Sequence, residues 1–254
     1  MKHYIRGLVR EMTVLYRSIP SFVVSIYLVA LISMNLLANK CVPLPTDLIV
    51  LDCGFFLSWI VFLVMDMVTR RFGPRAATLL SVTALLCNLF MCGIFYGCSL
   101  LPGYWSAAYD ETGTVIESVN GALNATFGGT WYVVFGSSAA FLASAIVNNI
   151  TNYFIGRKVE RDKKNFFTYA IRSYSSTLIG QFVDNLVFAL IVSHVFFGLS
   201  LLQCVMCALT GAIAELLMEV LFSGIGYRIS KRWDEENVGK DYIEQYCKNK
   251  KASP

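Results

Sequence analysis

The chain has 254 residues, of which 56% are hydrophobic and 15% charged, with a formal net charge of +4. A soluble domain carries about a quarter charged residues, so this composition excludes an ordinary soluble fold and points to an all-α integral membrane protein. The basic excess follows from the placement of the loops, and no nucleic-acid partner is expected.

Residues 1–17 set Ile5, Leu8, Val9, Met12, Leu15 and Tyr16 at helical spacing, with Lys2, Arg6, Arg10 and Arg17 among them. That pattern predicts an amphipathic helix lying on the inner face of a bilayer. The apolar run behind it is too long for the h-region of a cleavable signal peptide. Charge-free windows at Ser18–Asn39, Ala76–Tyr109, Ser118–Gly156 and Asn185–Ala214 each exceed the roughly 20 residues that cross a bilayer. Two further apolar runs are interrupted, one by Asp66 and one by Asp184 and His194. Six transmembrane helices are therefore predicted, at 19–39, 53–70, 76–99, 130–155, 170–197 and 199–228. They make a domain over 19–230, between a cytoplasmic segment 1–18 and a polar cytoplasmic tail 231–254.

Lys and Arg concentrate in cytoplasmic loops, which fixes the expected orientation. Besides the N-terminal bases, the turn after the second helix holds Arg70, Arg71 and Arg75, and the loop after the fourth holds Arg157, Lys158, Arg161, Lys163 and Lys164. The opposite side has Lys40 alone, and its long third loop holds Asp110, Glu111 and Glu117 without one base. Both termini are expected in the cytoplasm, in a multi-pass protein of the inner or plasma membrane.

Cys204 and Cys207 form a CxxC without adjacent metal ligands and read as packing; no metal, cofactor or structural disulfide is expected. Asn124 begins a glycosylation sequon on the outer loop. No HExxH, GxSxG or phosphate-binding loop is present, which disfavours an enzyme.

The chemistry sits in polar residues inside the apolar runs. Asp66, Asn149 and Glu219 each stand seven positions before a glycine, Gly73, Gly156 and Gly226, with a base following within two residues. Seven residues are two turns, so the three belong about 10 Å above a cytoplasmic helix end and suggest one shared cavity. Asp66 has a second reading, an ion pair with Arg70 one turn on. Asp184 has none, because Arg172 is about 18 Å away along a helix and an acid at the bilayer centre costs roughly 2.5–3.5 kcal/mol. It must face protein, water or ligand. Gln181, Asn185 and Thr177 add hydrogen-bonding groups to that side of the fifth helix. Glu215 and Glu219, one turn apart on the sixth, are candidates for proton or ion coupling, as is Asp66. Asn148, Asn149 and Asn152 read equally as helix glue and as ligand contacts. His194 reads as a satisfied interface histidine.

Taken in order, "LANKCVPL" (37–44), "LVMDMVTRRFGPR" (63–75), "NNITNYFIGRK" (148–158), "IRSYSSTLIGQFVDNLVF" (171–188) and "EVLFSGIGYR" (219–228) resemble the queuosine precursor transporter family, formerly the vitamin uptake transporters. The resemblance implies uptake of 7-deazaguanine bases or queuine for salvage into transfer RNA, with the small molecule and the lipid bilayer as partners. By this resemblance Asp66 matches the acid closing the second helix and Gly73 the glycine of the next turn, while Ser176, Gln181 and Asp184 match the fifth-helix motif. Where relatives commonly have proline after the acid of the sixth helix, this chain has Gly224.

The expected substrate contacts are Asp184, Gln181, Asn185, Asn149, Asp66 and Ser176, with Phe182 or Tyr153 stacking on the base. One carboxylate can accept the adjacent ring N–H and amine of a deazaguanine together. Two other classes stay open: a substrate-binding membrane subunit energised by a separate ATPase module, and an intramembrane enzyme. A homodimer also stays open.

Overall fold

The computed structural model describes residues 2–43, 50–159 and 178–247. Among these the chain is almost wholly helical, and it divides into two compact units, one of Met1–Ser33, Leu57–Cys87 and Met218–Pro254, the other of Met34–Phe56 and Asn88–Leu217.

In the first unit, helix α1 (Lys2–Ser18) is followed by α2 (Ser21–Leu37). Pro20 lacks an N–H and its ring would clash with the carbonyl four residues back, so α1 cannot run on. The two helices meet at 106°. Helix α3 (Phe55–Phe72) buries Val61, Val64, Val68 and Phe72 at spacings of three and four, and α4 (Pro74–Leu100) buries Ala77, Leu80 and Ala84 in the same rhythm. These are the one-sided stripes that pack helix on helix. Gly73, at φ +87°, ends α3 in the left-handed region, and Pro74 opens α4. Glycine just past one helix and proline at the first turn of the next make the sharpest available reversal.

The same unit closes on charge. Glu11 of α1, 3% exposed, accepts from Arg75 Nη2 at 2.6 Å and from the Tyr242 hydroxyl at 3.3 Å. Arg71 donates to Asp234 Oδ1 at 2.6 Å and to the Val238 carbonyl at 3.0 Å. Leu15 is buried while Ile5 and Val9 are exposed, so α1 has a protein-facing edge carrying Glu11 and Leu15 beside its exposed apolar residues. Arg70, read as a partner for Asp66, lies over the ring of Tyr227 at 4.7 Å; the Asp66 side chain is outside the described residues.

The second unit begins with a feature absent from the all-α expectation. Strands β1 (Cys41–Pro43) and β2 (Val50–Asp52) pair antiparallel, Cys41 against Asp52 and Val42 against Leu51. Asp52 Oδ1 then accepts from the Gly54 N–H at 2.8 Å, just ahead of α3. Burial pushes the Asp52 carboxyl above its ordinary range, against the pull of the Gly54 and Phe55 N–H groups. The facing Cys41 thiol is pushed up to about 11, first by burial and then by Asp52.

Helix α5 runs from Glu117 to Val159, 43 residues and about 64 Å. The expected fourth span, 130–155, starts too late. Gly128 and Gly129 both lie inside this helix. They are points of close approach: a Cβ at Gly128 would reach Ser99 Oγ at 2.5 Å, and one at Gly129 would reach the Tyr132 ring at 2.9 Å. The added N-terminal turns are covered by the preceding loop, where Trp105 donates through its backbone N–H to Asn120 (3.1 Å) and through Nε1 to Asn124 (2.7 Å) and stacks on Phe127. The side-chain oxygen of the sequon asparagine is thus engaged by Trp105.

Helix α6 (Leu178–Phe197) passes through a π-helical stretch at Ala189–His194. Val192 of that stretch lies against Gly136 so closely that no Cβ would fit. Val192, Val133 and Ala38 form a buried cluster with Tyr132, Phe188, Ile191 and Phe197 packed around it. Gly198, at φ +70°, ends α6, and Ser200 with Gln203 forms a reciprocal cap for α7 (Leu201–Glu235) through bonds of 2.9 and 3.3 Å. His194 donates from Nδ1 to the Leu199 carbonyl at 2.5 Å, the satisfied role expected of it.

Among the described residues three helices are individually long and apolar enough to cross a membrane, Pro74–Leu100, Leu178–Phe197 and Leu201–Phe222, and the bent pair of α1 and α2 would make a fourth if it is one span.

Candidate functional site

The site belongs to the second unit and is built on one face of α6. Gln181, Asp184 and Asn185 stand at i, i+3 and i+4, so Asp184 and Asn185 flank Gln181 at about 60° and about 40° on either side. Each finds a different environment.

Asp184 Oδ1 accepts a hydrogen bond from Ser144 Oγ of α5 at 2.9 Å. Ser144 is within 3.1 Å of the Phe141 carbonyl as well, so its single proton has two acceptors. Ser144 is the partner that Asp184 finds among the described residues. A half-buried acid with a neutral hydroxyl for a neighbour keeps hydrogen-bonding capacity in reserve, since two carboxylate oxygens offer about four lone-pair positions.

Asn185 Nδ2 donates to Glu215 Oε2 of α7 at 3.1 Å. Glu215 is 8% exposed. One turn before it, Gly211 gives the amide room: a Cβ there would come to 3.0 Å from Asn185 Nδ2.

Gln181 is 5% exposed, and neither Nε2 nor Oε1 has a hydrogen-bond partner among the described residues. A buried polar group left unsatisfied costs about 1–3 kcal/mol, and such groups are rare enough in native proteins to call for a reason. Here a donor and an acceptor are held side by side, unspent, one turn from an acid.

Phe182 is half-buried and lies about 160° round the helix from Asp184. It flanks the polar face rather than sharing it. Asn149, Tyr153, Glu219 and Asp66 lie in helices whose side chains at those positions are outside the described residues, and Ser176 is outside them altogether. The structure thus brings together Asp184, Gln181, Asn185 and Glu215 from the expected set. It adds Ser144 and Gly211, which the sequence reading passed over.

Residues 52–229 match the profile of a family described as "Putative vitamin uptake transporter". The chain belongs to this family. It is the queuosine precursor transporter family under its earlier label, and the protein is accordingly a membrane transporter by family. A search of curated proteins and one of solved structures found no match. Ser144, Gln181, Asp184, Asn185, Gly211 and Glu215 all fall within the matched residues, whereas α1, α2 and the tail beyond Tyr227 and Arg228 fall almost wholly outside them.

Proposed function

We propose that the protein imports queuosine precursors, 7-deazaguanine bases or queuine, across the cell membrane for salvage into transfer RNA. The observation that carries this reading is the unpaired Gln181 carboxamide buried one turn from Asp184. A simple cation would leave the amide N–H unused, and an anion would meet the acid. A lactam ring bearing an adjacent amine uses the carboxylate and the amide N–H together. Its ring N–H and amine donate to the Asp184 carboxylate, whose Oδ1 Ser144 steadies, while its carbonyl accepts from Gln181 Nε2. Phe182 or Tyr153 supplies the apolar wall for the ring.

In this reading α2 to α7 are six spans. Helix α3 ends in Asp66, Arg70 and Arg71 and α5 is rich in glycine, serine and asparagine, so neither is as apolar as the other spans, which suits helices lining a polar path. Both termini face the cytoplasm by the distribution of bases, and α1, bent away from α2, lies along the inner leaflet.

The test uses cells unable to make queuosine precursors and lacking their own importer, given each base at low concentration. Queuosine in transfer RNA, read by boronate-gel retardation, should be restored by the parent protein and not by Asp184→Asn. Restoration by Asp184→Asn to the parental level would remove Asp184 from the site. Restoration that requires a co-expressed ATPase would move the protein to the energised-subunit class.

A further inference from the structure

Asn185 stands between two acids. It follows Asp184 in the chain, and its Nδ2 donates to Glu215 Oε2 at 3.1 Å. A carboxamide has two unlike ends, and which end it turns to a carboxyl group depends on the proton. An ionised carboxylate can only accept, so it holds the NH2 end; a protonated carboxyl donates, so it holds the C=O end. The end turned away from Glu215 is then a carbonyl in the first case and an NH2 donor in the second. Gly211, whose missing Cβ leaves 3.0 Å to Nδ2 and 3.3 Å to Cγ, keeps the amide seated between α6 and α7. A bulkier residue there would push it out of line with Glu215.

We propose that Asn185 is a positioning residue that relays the protonation of Glu215 to the base site. This rests on the uptake reading. Glu215 takes a proton from the outer water, its O–H donates to Asn185 Oδ1, and the amide presents N–H to the base carbonyl beside Gln181. On the inner side Glu215 releases that proton to water and the Asn185 NH2 returns to Glu215. The amide carbonyl then faces the base carbonyl and the base leaves. One proton enters with each base, the direction an inward proton gradient drives.

Glu215 is met from α6 by Asn185, whose neighbour in the chain, Asp184, is bonded to Ser144 of α5. Along α7 the next acid is Glu219, one turn on, its side chain outside the described residues.

The test is equilibrium binding of the cyano deazaguanine base, which does not itself titrate near neutrality, to purified full-length protein in liposomes across pH. Wild-type affinity should fall at least about tenfold as pH rises and one group ionises. Glu215→Gln, which always offers an N–H to Asn185 Oδ1, should bind tightly at every pH. Asn185→Leu should bind weakly and without pH dependence although Glu215 is intact; monodisperse elution shows that it has folded. Asn185→Leu binding that weakens yet keeps the wild-type pH profile overturns the relay, as does a Glu215→Gln profile that still follows pH. Wild-type protein that binds no base at any pH overturns the uptake reading beneath it, and the two failures are told apart by that control.

Discussion

Two acids in this molecule, Glu11 and Asp184, have opposite surroundings. Glu11 is met by the Arg75 guanidinium and the Tyr242 hydroxyl, partners that satisfy a carboxylate permanently and tie α1 to the turn after α3 and to the C-terminal helix, α8 (Lys240–Tyr242), which continues as a π-turn. Among the described residues Asp184 is met by Ser144, with an amide that has no partner there a turn away. A satisfied acid holds a fold together, whereas an acid with hydrogen-bonding capacity in reserve beside an orphaned amide is what the proposed uptake site requires.

The largest separation of the two roles should come from Asp184→Asn. It replaces an acceptor by a donor against the base's own donors, and truncating one side of a buried charge-assisted pair costs about 2–5 kcal/mol. Uptake should fall by on the order of a hundredfold or more in kcat/KM, while the melting temperature of the detergent-solubilised protein should hold or rise. Glu11→Ala should do the reverse. It leaves Tyr242 and Arg75 without their acceptor, and because Arg75 is half exposed the expected loss is about 1–2 kcal/mol of stability, seen as a lower melting temperature with uptake per folded molecule unchanged.

Gln181→Met sharpens the comparison further. Exchanging an unsatisfied amide for an apolar side chain of similar shape should stabilise the ligand-free protein by about 1 kcal/mol or more, while base affinity drops about tenfold or more with the loss of a hydrogen bond to a buried ligand. A stabilising substitution that weakens function is the signature of a binding group. A destabilising one would mark Gln181 as structural.

The smallest effect belongs to the loop before α5. Asp110 accepts from the Thr112 hydroxyl and from the Thr112 and Thr114 N–H groups. These bonds, the Thr112 hydroxyl foremost, hold its carboxyl below the usual range. The sign follows: the turn is fully held above the ordinary carboxylate value near 4 and loosens as pH falls through the lowered one. Fluorescence of Trp105, which stacks on Phe127, should change on acidification below that value, and Asp110→Asn, which has no carboxyl to titrate, should lose that transition.

The sequence already carried the helical architecture and the choice of Asp184, because apolar length and the cost of an isolated acid in hydrocarbon are local properties. Ser144 was hidden by its commonness in membrane helices, although it stands at i and i+4 to Asn148 and two turns from Asn152 on one face, a stripe that could have announced it. Gly211 and Gly128 could not be read at all, since a glycine in a helix shows its purpose only when the neighbour that fills its space is known. The hairpin at Cys41–Pro43 was missed because three-residue strands leave no periodic trace. Glu11 read as one more charge on an amphipathic segment. Its partner Tyr242 is far along the chain, and only tertiary packing brings the two together.

The most direct measurement is calorimetric binding of two bases to wild-type protein and to Asp184→Asn: a 7-deazaguanine, and the same ring without its 2-amino group. Removing the amine should weaken binding to the wild type by about 1–3 kcal/mol, roughly ten- to a hundredfold, and should matter little in Asp184→Asn, so that the two changes are coupled rather than additive. Equal losses in both proteins would show that the amine meets some group other than Asp184, and would contradict the site described here.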